Sequence, residues 1–180
     1  MCGIVGVFDL EPGEDLAALR RQAVAASSRQ RHRGPDWSGV YADDGAILAL
    51  ERLAIVGIQG GAQPIPSTDG TLALCVNGEI YNHRELAAGA PGYAFVGDSD
   101  CEVINALWQR EGAALVSRLN GIFALALWDA AARRYLIARD PMGVCPLYHG
   151  RDAAGRLWVA SEMKALVGVC ETIEPFPPGH

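Results

Sequence analysis

Cys2 stands directly behind Met1, and that position is where chemistry first suggests itself. An initiator Met followed by a small residue is commonly trimmed, which would leave the Cys2 thiol and a free α-amine on one residue. An α-amine titrates at ~7.7–8.0, near enough to neutrality to take the proton of the thiol. The thiolate is the reactive form, so the pair would be a nucleophile with a built-in base. The plainer reading is a small core residue on a first strand. Arg33, in the run Arg31-His32-Arg33-Gly34-Pro35-Asp36, can line an anionic site or simply finish a helix in solvent. Arg52 follows Glu51 at the end of an apolar run, where it can fork onto a ligand carboxylate or pair with Glu51 at the surface. In Asn77-Gly78-Glu79 a side-chain amide donor precedes a residue whose backbone N–H can be approached closely. Those are the parts of an oxyanion hole, although Asn-Gly is also a common hairpin turn. Asp100 falls at a helix start, where a carboxylate is favoured in any case. The four histidines, His32, His83, His149 and His180, are scattered, and none is assigned a catalytic role.

The elements that must position these residues read as mostly strands. Ile4–Phe8 is a short β-rich apolar run. Residues 14 to about 31 read as a helix with Leu16, Leu19, Ala23 and Val24 near one face, ended by Gly34-Pro35. Trp37–Tyr41 and Ala46–Leu53 pair across Asp43-Asp44-Gly45, and the Gly- and Pro-rich stretch 57–70 reads as loop. Leu72–Val76 is a strand that Asn77-Gly78 should stop. Ser99-Asp100-Cys101-Glu102 has the spacing of a capping box opening a helix to about Arg110. Ile122–Trp128 pairs with Tyr135–Ala138, and Tyr148–His149 with Leu157–Ala160. Ser161-Glu162 should cap a short helix through Leu166, and the Pro-rich end reads as extended linker. Few helices and many hairpins suit an α+β layered domain, with antiparallel sheets inside and helices outside.

Composition narrows the class. The 180 residues carry 15 Lys+Arg against 21 Asp+Glu, a net charge of −6, which argues against nucleic-acid binding. Half the residues are apolar and 20% charged, a globular mixture. No apolar run approaches the ~20 residues of a membrane span. The N-terminus lacks the basic region and cleavage site of a secretory signal, so a cytoplasmic location is expected. The five cysteines are odd in number and widely spaced, with no CxxC pair and no Cys/His cluster. Neither a disulfide framework nor a metal site is expected.

Five runs appear in order: Met1-Cys2-Gly3-Ile4-Val5-Gly6, Arg31–Asp36, Glu51–Val56, Val76-Asn77-Gly78-Glu79-Ile80-Tyr81-Asn82-His83 and Ser99–Ile104. With Ser161-Glu162-Met163-Lys164-Ala165-Leu166, they make the whole chain resemble the N-terminal glutaminase domain of glutamine-hydrolysing asparagine synthetases, which are class II amidotransferases. The resemblance implies an N-terminal-nucleophile hydrolase fold: a four-layer αββα sandwich with two antiparallel sheets. It makes Cys2 the nucleophile, with Asn77 and the Gly78 backbone as oxyanion hole. Arg52 becomes the clamp on the glutamine α-carboxylate, and Glu79 and Asp100 the holders of its α-ammonium. Leu53, Ala54, Ile55 and Val56 would add backbone contacts, and Arg33 would stand close to the nucleophile. Two positions depart from the family pattern: Ala54 replaces a Ser, and Gly57 an Asp.

By the same resemblance, residues 1–170 are the glutaminase domain and 171–180 the start of a linker to a synthetase domain. That half, with its Ser-Gly-Gly-x-Asp-Ser pyrophosphate loop, is not in this sequence. No cofactor is expected in this domain, and ATP and Mg belong only to the synthetase half. The expected partners are glutamine and that linked domain, and a homodimer is allowed. Two other readings stay open: a lone hydrolase supplying ammonia for a different amide, and an inactive domain that senses glutamine without cleaving it. Ser161–Leu166 is expected to border the synthetase half and to leave an apolar patch exposed, against the simpler alternative of packing through Met163, Leu166 and Val167.

Overall fold

The computed structural model describes residues 1–54 and 61–180. Two antiparallel sheets lie face to face, with helices on both outer sides. The first sheet has six strands: β1 (Gly3–Phe8), β2 (Trp37–Ala42), β3 (Ile47–Arg52), β8 (Tyr148–Arg151), β9 (Leu157–Ala160) and β10 (Thr172–Pro175), in the order β10-β8-β9-β1-β3-β2. The second has four: β4 (Ile65–Pro66), β5 (Leu72–Ile80), β6 (Gly121–Asp129) and β7 (Arg134–Arg139), in that order. Helix α1 (Leu16–Ser28) and the short α4 (Met163–Leu166) cover the first sheet. Helices α2 (His83–Ala88) and α3 (Val103–Glu111) lie on the side of the second.

Alternation along the strands builds three cores between four layers. In β1, Ile4 and Phe8 turn inward to meet Ala73, Cys75, Ala124, Ala126 and Trp128 of the second sheet. Val5 and Val7 turn outward onto Leu19, Ala23 and Ala26 of α1, which recur at helical spacing. Leu74 and Val76 of β5, with Phe123, Leu125 and Leu127 of β6, face Ile104, Leu107 and Trp108 of α3. Central strands are therefore buried on both faces, and their sequences are near-continuous apolar runs. Truncating the fully buried Phe8 to Ala should cost about 3–5 kcal/mol. Among the described residues no helix is long and apolar enough to cross a membrane.

Several local expectations give way to tertiary pairing. Asn77-Gly78 does not stop a strand: β5 runs straight through it, paired with Gly121–Phe123 and Ala124 of β6. The hydroxyl of Ser99 accepts the Cys101 N–H at 3.3 Å, and only a 3-10 turn, Asp100–Glu102, precedes α3. The Glu102 carboxylate reaches further back, to the N–H groups of Val96 and Gly97, so no reciprocal capping box closes. Ser161 does not cap α4, because its hydroxyl accepts the Ile4 N–H at 3.0 Å instead. Val24 stays exposed, and α1 ends at Ser28 in a series of turns. The stretch read as linker carries β10, which pairs with β8, and the Phe176 N–H donates to the Leu147 carbonyl.

Candidate active site

The C-terminal end of β3, the start of β1 and the end of β5 converge on one pocket. Cys2, Arg52, Leu53, Gly78, Glu79 and Asp100 all line it. Cys2 is half-buried just ahead of the β1 ladder, its thiol 3.7 Å from the Leu53 carbonyl oxygen. Its own carbonyl accepts the Nε–H of Arg33 at 2.9 Å. Gly34 lets that arginine's loop lie against β3, since a Cβ there would fall 2.2 Å from the Glu51 carbonyl oxygen. Asp36 completes the loop's grip: its N–H donates to the Arg52 carbonyl at 3.1 Å, and its carboxylate accepts the Ala54 N–H at 2.9 Å.

Successive strand residues point to opposite faces, and this separates Glu51 from Arg52. Glu51 turns toward α1 and accepts from Ser38 Oγ (2.7 Å), Arg31 Nη1 (3.2 Å) and Ser27 Oγ (3.4 Å). Arg52, 7% exposed, turns into the pocket. Asn77 continues the inward series of Ala73 and Cys75 and is fully buried. Neither its amide nitrogen nor its amide oxygen has a partner among the described residues. An unpartnered buried amide is costly to keep, about 1–3 kcal/mol, unless a ligand or water answers it. Gly78 has φ +152°, and a Cβ there would meet the Ile122 carbonyl oxygen at 2.0 Å, so this strand position admits only glycine. Asp100 is 6% exposed, and one of its oxygens accepts the Ile80 N–H at 2.7 Å. Ile55 and Val56 lie outside the described residues.

Burial pushes the Cys145 and Cys170 thiols up to about 11 and raises those of Cys75 and Cys101 as well. Among the described residues no cluster of His, Cys, Asp and Glu is arranged to hold a metal ion.

The pocket also contains residues to which the sequence assigns no role in a site. Gln63, Ser99, Cys101 and Ile122 line it, and the Gln63 side-chain oxygen accepts the Val76 N–H at 2.7 Å. Cys101 could have been found from Asp100, its neighbour. Gln63 comes from a stretch that reads only as loop, with no signal of its own. Glu162, outside the pocket, accepts from Arg33 Nη1 at 3.1 Å and so reaches the site through a second residue.

A family model described as a glutamine amidotransferase domain matches residues 1–175. The chain is 54% identical over 180 residues to asparagine synthetase B [glutamine-hydrolyzing] of Escherichia coli strain K12, with 99% of this chain and 32% of that protein covered. It is 48% identical over 183 residues to a probable asparagine synthetase [glutamine-hydrolyzing] of Dictyostelium discoideum, covering 100% of this chain and 32% of that protein. The chain thus spans about a third of the length of these curated relatives. Among solved structures, the glutamine phosphoribosylpyrophosphate amidotransferase of B. subtilis, complexed with ADP and GMP, superposes with a TM-score of 0.77 at 23% identity. That match covers 99% of this chain and 46% of the other, and it is a likeness of fold.

Proposed function

The chain belongs to the family of glutamine amidotransferase domains, and on that premise we propose that it hydrolyses glutamine to glutamate and ammonia with Cys2 as nucleophile. The observation that carries this reading is that one pocket gathers Cys2, Arg52, Gly78, Glu79 and Asp100 from four separate stretches of chain. Glutamine is a zwitterion with an amide on a flexible arm. The Arg52 guanidinium can fork onto its α-carboxylate, and Glu79 and Asp100 can take its α-ammonium. That anchoring presents the amide carbon to Cys2.

Met1 is 46% exposed, within reach of an aminopeptidase. Once it is removed, the Cys2 α-amine takes the thiol proton and the thiolate attacks the amide carbon. Negative charge develops on the amide oxygen, where Asn77 Nδ2 and the Gly78 N–H can donate to it. Each such donor is worth about 10²–10³ in rate. The tetrahedral intermediate collapses, the amide nitrogen takes the proton held by the α-amine, and ammonia leaves. Water then cleaves the glutamyl thioester, giving glutamate and restoring the thiol. Ammonia so released would serve ATP-dependent amidation of aspartate by a synthetase region beyond these residues. The curated relatives' names support this part of the reading. ATP and Mg would act there and not in this pocket.

The test is Cys2→Ala. Glutamate release should vanish while the circular dichroism spectrum and melting transition are kept, because burial holds the other four thiols toward their protonated form. Undiminished release in this variant would overturn the assignment.

A further inference from the structure

We propose that Glu162 is a positioning residue for Cys2, acting through Arg33. The proposal rests on the reading of Cys2 as nucleophile and goes beyond it. Cys2 lies ahead of the β1 ladder, whose pairing with β3 begins at Gly3, so among the described residues no strand neighbour holds its carbonyl. Arg33 Nε does so instead, at 2.9 Å.

The arginine is itself placed by the far end of the chain. β9 pairs with β1 up to Val5↔Ala160, and Ser161 adds one more rung: its N–H donates to the Ile4 carbonyl at 3.1 Å and its hydroxyl accepts the Ile4 N–H at 3.0 Å. The buried Gln30 side chain donates to the same Ile4 carbonyl at 3.1 Å. The next residue, Glu162, then delivers its carboxylate to Arg33 Nη1 at 3.1 Å.

Three basic side chains converge on that carboxylate. His32 Nε2 and Lys164 Nζ each lie 3.0 Å away, but their side chains are 53% and 52% exposed, whereas that of Arg33 is 12% exposed. Solvent screens the outer two contacts and leaves the one to Arg33 largely unscreened. Without the carboxylate, Arg33 would face the Lys164 ammonium with no anion between them. Repulsion and lost tethering would then draw it off the Cys2 carbonyl. A nucleophile displaced by about 1 Å typically loses on the order of 10²-fold in rate while substrate binding persists.

The experiment compares Glu162→Gln, Glu162→Asp, Arg33→Lys and the double variant E162Q/R33K. Glu162→Gln should lower kcat for glutamine hydrolysis by about tenfold or more with KM within about twofold. Glu162→Asp, which keeps the charge, should recover part of the loss. The double variant should be no worse than R33K alone, since both act through one contact. Labelling by 6-diazo-5-oxo-norleucine, which needs oriented attack, should slow in step with kcat, and labelling by iodoacetamide should not. Independently of any activity, the Cys2 carbonyl ¹³C resonance should move in E162Q. An unmoved resonance or an additive double variant would overturn the proposal, as would a raised KM at unchanged kcat. Should E162Q fail to fold, E162D decides by the same readouts at smaller amplitude. A wild-type protein that leaves glutamine intact would sink the functional reading alone, because the carbonyl resonance still decides this one.

Discussion

Arg52→Lys should raise the KM for glutamine by more than about tenfold, because one ammonium cannot reproduce a planar fork on a carboxylate. Losing a desolvated charge partner costs about 2–5 kcal/mol. Asp100→Asn should act in the same direction. The asparagine side-chain oxygen can still accept the Ile80 N–H, so the loss would reflect charge more than folding. Steady-state kinetics check both, and an unchanged KM in both variants would make these residues structural. The same chemistry predicts that 6-diazo-5-oxo-norleucine labels Cys2 alone of the five cysteines, read by peptide mass spectrometry. Cys101 is the sharpest control, since it lines the same pocket but is buried with its thiol held protonated. At this scale the pocket is legible in the sequence wherever its lining residues stand in a short contiguous run, such as Gly78-Glu79. Gln63 and Glu162 are not legible, because each reaches the site through contacts made by distant elements.

Strand β5 shows why a local signal can mislead. Asn-Gly favours a turn in isolation, yet nine consecutive pairs with β6, from Leu72↔Asp129 to Ile80↔Gly121, outweigh it. The glycine is needed there for its φ and for the closeness of the Ile122 carbonyl, not for reversing the chain. Gly78→Ala should therefore destabilise the fold by about 1–3 kcal/mol through backbone strain. It should also lower kcat by about 10²-fold, by moving the N–H that would meet the oxyanion. Thermal melting and kinetics separate the two effects. The hairpins β2–β3, β6–β7 and β8–β9 were legible from alternation and turn residues, whereas β10 was hidden behind a proline-rich composition.

The junction between the end of β9 and the turn after α1 has its own pH signature. Burial raises the Glu162 carboxyl, but hydrogen bonds from Lys164, Arg33 and His32 outweigh it and bring it down to about 2. A carboxyl lowered in the folded state stabilises above its unfolded value, near 4.5, and that contribution fades as pH falls toward 2. The melting temperature of the wild type should exceed that of Glu162→Gln at pH 6, and the gap should narrow steadily below about pH 4.5.

For the whole molecule, some apolar side chains are left outside the three cores. Met163 and Val167 are 45% and 54% exposed while Leu166 between them is fully buried, so the turn uses one side for packing and leaves the other open. Glutamine hydrolysis by these 180 residues should not respond to added ATP or aspartate, measured as glutamate release. A response would place those ligand sites within this chain. The split into two sheets and the order of strands could not be read from the sequence, because periodicity marks which residues are buried but not which strands become neighbours. That order has a consequence in time. β1 is hydrogen-bonded to β3 on one side and to β9 on the other, so its second neighbour is synthesised roughly 150 residues later, about 8–30 s at ordinary elongation rates. Throughout that interval the β9-facing edge of β1 stays open. Cys2, just ahead of that strand, gains its support from the β9 end through Glu162 and Arg33 only when its sheet is nearly whole.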